Sequence, residues 1–188
     1  MAVAAFVLIG FVFSTLSWLL VLGFRSPARF EVEVSEEFSF PLLSVYDAIA
    51  NIPEYPSWRT GVQKVELIGP VETSDGERFS YREFRKGAGS KGVVYVVADD
   101  TPPAKGPGGL GRRVHRIVGG TAPYRSQWIF GFEPRGQRTK LTVIEQDEIG
   151  NPLLRGVARI FMPPRKALNQ FLMDLRGHLL KGGTAHLN

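Results

Sequence analysis

Cysteine is missing altogether, and histidine is scarce, with three in 188 residues. The first absence removes cysteine nucleophiles, thiolate zinc sites, cysteine-ligated clusters and any disulfide scaffold. It leaves the compartment open, because a chain without thiols is at home in any redox environment. His115, His178 and His186 are far apart with no His-x-x-x-His pair, so the spacing of a zinc site is lacking and no metal is expected. No Gly-x-Ser-x-Gly stretch marks a hydrolase nucleophile, and no Asn-x-Ser/Thr sequon hints at an exported surface. Charge is also unevenly missing: residues 1–24 carry none, so all 23 Lys and Arg and all 18 Asp and Glu come later. Such a composition excludes a collagen, a coiled coil and a disordered chain. It describes a hydrophobic stretch joined to an ordinary soluble domain.

As a helix, residues 2–24 would extend about 34 Å, a match for a hydrocarbon core of about 30 Å. Ser14, Thr15 and Ser17 can bond back to carbonyls within that helix. Trp18 is compatible with an interfacial anchor. A cleaved signal peptide would carry a basic start and a small-x-small cleavage pattern, and neither is present. We therefore expect an uncleaved single-pass anchor at 1–24, over a cleaved signal or a buried helix. Arg25 and Arg29 follow the span, which puts the remaining domain on the cytoplasmic side by the positive-inside rule.

After a linker at 25–29, Val32 and Val34 alternate with Glu31 and Glu33 at strand period. Ser39 or Phe40 is expected near a helix cap, with Pro41 in the first turn. Leu42, Val45, Ile49 and Ile52 then recur at helical spacing until Pro53 and Pro56. Strands are expected at Val62–Ile68, Arg78–Phe84, Val93–Ala98, Arg113–Val118, Tyr124–Phe132 and Thr139–Ile149, separated by turn-rich stretches that suit consecutive hairpins. Residues 152–181 read as a long helix that Pro163 and Pro164 kink or split, with Leu168, Phe171, Leu172, Leu175 and Leu179 in one stripe. Residues 182–188 form a tail. The fold class is α+β: an antiparallel sheet whose inner face is covered by the closing helix.

That order resembles the START-like superfamily with the helix-grip fold, also called SRPBCC or polyketide cyclase/dehydratase-like. SFPLLSVYDAIANIPEYPSW looks like the family's opening pattern, GQRTKLTV like its turn into the penultimate stretch, and FMPPRKALNQFLMDLRGHL like its closing helix. The likeness covers residues 30–181. It implies a hydrophobic pocket for lipids, sterols or polyketides, with enzymes a minority of the family. The anchor is not part of the usual domain.

Two runs, Gly87-Ala-Gly89-Ser-Lys-Gly92 and Gly106-Pro-Gly108-Gly-Leu-Gly111, match the glycine pattern of a dinucleotide loop. Each is followed by a strand pattern instead of the helix whose N-terminus would receive the phosphates, so both read as hairpin turns and no cofactor is expected. His178, near the end of the last helix, suits the helix dipole there. Strand parity is more informative. Ser126, Trp128, Phe130 and Phe132 share a face, as do Leu141, Val143, Glu145 and Asp147, Phe79, Tyr81 and Glu83, and Val114, Arg116 and Val118. Tyr81, Glu83, Arg116, Trp128, Phe130 and Glu145 are thus the candidate ligand pocket. A bulge would invert one strand and bring in His115 instead. The basic residues Lys86, Lys91, Lys105, Arg112 and Arg113 are scattered over loops without a nucleic-acid motif, so no nucleic-acid partner is expected.

The sequence therefore points to a bilayer-tethered domain holding a small hydrophobic ligand such as a lipid or polyketide. The alternatives are a cyclase- or dehydratase-like enzyme using Glu83, Glu145 or His115 as acid/base, and an interaction module without a ligand. The full chain should sediment with membranes and resist carbonate extraction, while a chain starting at Ala28 should be soluble. Recovery from cells of a protein cut after Phe24 would replace the anchor by a signal peptide.

Overall fold

The computed structural model describes residues 2–73, 76–87, 90–104, 109–120, 124–161 and 164–185. Helix α1 (Ala2–Arg25) precedes strand β1 (Arg29–Phe38), helix α2 (Leu42–Ala50), a 3-10 turn at Ile52–Glu54 and the short helix α3 (Tyr55–Trp58). Six strands follow: β2 (Val62–Thr73), β3 (Gly76–Arg85), β4 (Val93–Thr101), β5 (Gly111–Gly120), β6 (Arg125–Arg135) and β7 (Arg138–Glu148). Helices α4 (Pro152–Phe161) and α5 (Pro164–Ala185) close the chain.

The seven strands form one curved antiparallel sheet in the order β1-β7-β6-β5-β4-β3-β2. Successive hairpins build β2 to β7, and β1 then pairs with β7, so the first and second strands become the two edges. Helix α5 packs its stripe against β1 and β7, and through Phe171 on Trp128 and Phe130 of β6. Leu168, Phe171, Leu172, Leu175 and Leu179 are buried there with Phe38, Phe130, Phe132, Leu141 and Val143. A second, smaller core of Ile52, Tyr55, Val62, Tyr81 and Val97 fills the side near α3. The Tyr-Pro-x-Trp element joins the two. The Tyr55 hydroxyl donates to the Ile49 carbonyl at 2.6 Å, while Trp58 packs on Phe171 and stacks on His178 at ring distances of 5.7 and 5.4 Å. His178 therefore serves as a stacking partner, and it lies seven residues before the end of α5, too far in for the dipole role expected of it.

Several boundaries differ from expectation. Pro41 occupies the N-cap position of α2 itself, with no side-chain cap, instead of the first turn. Strand β2 runs past Ile68 to Thr73 through the stretch expected to be a turn. Gly69, at φ +98°, absorbs a register shift against β3, and Pro70 is tolerated because β2 is an edge strand. The β6–β7 hairpin closes at Gly136, φ +65°. The closing helix is split in two, and Pro163 lies outside the described residues. Helix α5 continues to Ala185, past the expected start of the tail.

The linker is held at both ends. The Ser26 amide donates to the Leu22 carbonyl at 3.0 Å, continuing α1, and the Ile149 amide donates to the Ala28 carbonyl at 2.9 Å, tying the linker to the end of β7. The last turns of α1 lie against α4.

Leu172 is 2% exposed in the main core. Leu172→Ala should lower the unfolding free energy by about 2–5 kcal/mol, read from denaturant melts of the chain starting at Ala28. An unchanged midpoint would contradict this packing.

Candidate functional site

Polar side chains are concentrated on the helix-facing side of the sheet, in three groups. In the first, Glu83 on β3 is fully buried. Arg59, in the loop after α3, donates from Nη1 to Glu83 Oε2 at 2.8 Å. Arg85 donates from Nε to the other carboxylate oxygen and from Nη2 to the Tyr95 hydroxyl at 3.3 Å. The Arg59 guanidinium is enclosed by rings, 4.6 Å from Tyr55, 5.4 Å from Phe171 and 5.8 Å from Trp128. Burial alone would raise the Glu83 carboxyl, but Arg59 and Arg85 outweigh it and hold it below its ordinary value.

The second group is a chain. Arg113 on β5 donates from Nε to His115 Nε2 at 2.9 Å and from Nη1 to Asp100 Oδ2 at 2.6 Å. The Tyr46 hydroxyl donates to the other Asp100 oxygen. A guanidinium has no lone pair to offer, so His115 Nε2 is the acceptor and its proton is on Nδ1. Nδ1–H then donates to the Tyr81 hydroxyl at 2.9 Å. Burial, then the charges of Arg113 and Arg59, keep His115 neutral by pushing its pKa well down.

The third group is less complete. Trp128 Nε1 on β6 donates to Glu145 Oε1 on β7 at 2.8 Å. Glu145 Oε2 and Asp147 Oδ1 are buried without a hydrogen-bond partner. Burial, and then the Asp147 charge, raise Glu145 to about 7. Burial raises Asp147 as well, against a lowering hydrogen bond from Ser126.

A cavity of about 890 Å³ opens at the end of the sheet where β1 and β6 start and β5 and β7 finish. Phe30, Ile117, Tyr124, Ser126 and Asp147 are among its walls. Arg29, the first residue of β1 and separated from α1 by three residues, also lines it.

The six residues assigned to a pocket from strand parity are not brought together around this cavity. Tyr81 and Glu83 are buried in the β3 networks, and Phe130 is in the main core. Trp128 and Glu145 form a bonded pair. Arg116 lines the cavity but faces away from α5. It is directly opposite Gln127 in the β5–β6 register, whereas His115 is opposite Trp128. Residues directly opposite share a face, so Arg116 belongs to an outward polar row in which its Nε donates to Gln127 Oε1 at 3.3 Å, Gln127 to Gln146, and Gln146 Nε2 to Glu31. The parity assignment for β5 is thus inverted, because the inward residues of this strand are the polar Arg113 and His115. Arg59, Tyr46, Asp100 and Arg113 were not singled out for the interior. Arg59 is in a loop with no periodicity to reveal it, and Asp100 follows a β4 register shift between Val97 and Asp99. Asp147, on the same face as Glu145, was legible by parity.

Among the described residues no group of three His, Asp and Glu side chains is arranged to hold a metal ion. Neither glycine-rich run opens a helix; they connect β3 to β4 and β4 to β5.

No protein-family model matches the chain, and no curated protein does. Solved structures do. A START superfamily protein from Mycobacterium smegmatis is similar at a TM-score of 0.56 and 16% identity, over 80% of this chain and 97% of that one. The Zhui aromatase/cyclase from a Streptomyces species is similar at 0.56 and 18% identity, over 81% and 94%. A STAR-related lipid transfer protein from Xanthomonas axonopodis is similar at 0.54 and 13% identity, over 79% and 85%. The chain has a START-like helix-grip fold.

Arg59 and Glu83 are 11% and 0% exposed at their side chains, so Arg59→Leu should cost about 3–5 kcal/mol by leaving Glu83 short of a counter-charge. Glu83 has a folded pKa below its ordinary 4.5, so its stabilisation is complete above that pH and lost as pH falls through the folded value. Glu83→Gln should flatten the acid limb of a stability–pH curve measured between about pH 3 and pH 7. An unchanged acid limb would remove Glu83 from the ion pair.

Proposed function

We propose that this protein is a membrane-tethered START-like domain that binds a small hydrophobic ligand, lipid- or polyketide-like, in the cavity at the anchor end of the sheet. The cavity carries the reading: at about 890 Å³ it falls within the range of small-molecule sites. Its position supports the tether, since Arg29 on its rim follows α1 by only three intervening residues. α1 is long and apolar enough to cross a bilayer. Arg25 and Arg29 favour a cytoplasmic domain. Phe30 and Ile117 offer the ligand apolar contact, and Tyr124, Ser126 and Asp147 offer hydrogen bonds that fix a polar end. This site is displaced from the pocket that strand parity suggested, because the space beneath α5 is filled by Phe130, Phe132, Phe171 and the aromatic enclosure of Arg59.

Glu145 favours a second reading, an acid/base enzyme of the cyclase kind. Glu83 is engaged by two arginines and His115 is fixed at both nitrogens, which leaves Glu145, with an unpartnered oxygen and a pKa of about 7, as the group able to exchange a proton near neutrality. A raised carboxyl disfavours folding only where it must ionise: the penalty is absent below its ordinary 4.5 and complete above about 7. Glu145→Gln should therefore raise the melting temperature at about pH 8 and leave it unchanged at about pH 4.

Native extraction of the full chain followed by mass spectrometry should recover a co-purifying amphiphile. Ile117→Trp, which fills the cavity, should lose it while the fold is kept. Recovery of the wild-type protein with no small molecule, or equal retention by Ile117→Trp, would overturn this site.

A further inference from the structure

The cavity at the anchor end of the sheet has one wall that is short of donors. On the helix-facing side of β7, Glu145 and Asp147 are two residues apart, about 7 Å along the strand. In the register, Glu145 is flanked by Val32 of β1 and Trp128 of β6, and Asp147 by Phe30 and Ser126. Trp128 donates to one oxygen of Glu145, and Ser126 bonds to Asp147. Glu145 Oε2 and Asp147 Oδ1 stay buried and unpartnered, and Asp147 lines the cavity.

Among the described residues no cation is bonded to either carboxyl. Arg59 and Arg85 are committed to Glu83, and Arg113 to Asp100 and His115. The arginines in the cavity wall are engaged on the outward face: Arg29 and Arg125 flank Glu148 at 3.5 and 4.0 Å, and Arg116 donates to Gln127. From α5, Phe171 covers Trp128 with a ring and brings no charge. Of the charges that reach Glu145, Asp147 opposes its ionisation and Arg85, from β3, favours it. The balance leaves Glu145 raised to about 7, so below that pH the pair holds a proton in place of a counter-ion.

The chemistry of a fitting partner follows. A carboxylate or phosphate would add negative charge beside two carboxyls. A hydroxyl offers one donor and no charge. A primary ammonium offers three donors and the charge, enough for both open oxygens. We propose that the ligand of this cavity is an organic amine, bound as its ammonium against Asp147, with Glu145 one row farther from the sheet end and the apolar part of the ligand on Phe30 and Ile117. This inference rests on the cavity being the ligand site. The ammonium takes the place of the bound proton, so binding releases a proton wherever the pair still holds one.

Hexylamine, hexanol and hexanoate carry the same chain and differ in the head group. Each would be titrated calorimetrically into the full chain in phosphatidylcholine nanodiscs, with empty nanodiscs as the blank. At about pH 8 hexylamine should bind roughly tenfold tighter than the other two or better. Asp147→Asn, similar in shape and without the charge, should bring hexylamine to within about twofold of hexanol. Ile117→Trp should abolish binding of all three. In paired buffers of different ionisation enthalpy, hexylamine binding should release protons at about pH 6 and few at about pH 8. Hexanol or hexanoate binding as tightly as hexylamine, an unchanged preference in Asp147→Asn, or amine binding without proton release at about pH 6 would overturn the amine and leave the cavity standing. No binding by any of the three, or binding that Ile117→Trp leaves intact, would overturn the cavity and this inference with it.

Discussion

The contact between Arg59 and Glu83 constrains the interior more than any other. A carboxylate with no solvent exposure has to be matched, and here the match comes from a loop residue reaching in from α3. To make that reach, the guanidinium passes between Tyr55, Phe171 and Trp128, which belong to α3, α5 and β6. One ion pair thus fixes the relation of the opening helices, the closing helix and the middle of the sheet. Arg85 completes the carboxylate's bonding from its own strand, so the group is satisfied without solvent.

The interior divides by how well its polar atoms are satisfied. Toward β3 and β5, Tyr46, Asp100, Arg113, His115 and Tyr81 form a continuous relay whose direction is dictated by the one-way donor capacity of arginine. Toward β7, Glu145 and Asp147 each keep a buried oxygen with no partner. The closed part gives rigidity, and the open part borders the cavity through Asp147. Chemistry or recognition is expected where polar satisfaction is incomplete, next to a framework that cannot collapse to relieve it.

Much of the architecture was legible in the sequence, and the reasons are local. The α5 stripe, the aromatic face of β6 and the hairpin order follow from periodicity that burial imposes on neighbours two, three or four residues apart. The inward direction of Trp128 and Glu145 follows the same rule. Strand β5 defeated it. Its inward positions are Arg113 and His115, and its outward positions include Val114, Arg116 and Val118, so apolar patterning points the strand the wrong way. Arg59 could not be found at all, since a loop residue has no period and its carboxylate partner is 24 positions away. The cavity escaped for a related reason: it is formed at the ends of four strands, where β5 parts from β6 beyond the Arg116–Gln127 pair, and no single segment encodes that.

The linker limits how far the domain can move from α1. Ser26 prolongs α1 and Ala28 is bonded to Ile149, so nothing between the helix and the sheet is loose enough to act as a leash. A domain held this way, with α1 in a bilayer, stays within a few ångströms of one surface and shares that surface's two-dimensional diffusion. If the proposed tether and ligand both hold, such a domain would not carry that ligand through water to a second membrane. Exchange would instead be limited by lateral encounter, with donor and acceptor sharing a leaflet or brought to it, and the rate would scale with surface density instead of volume concentration.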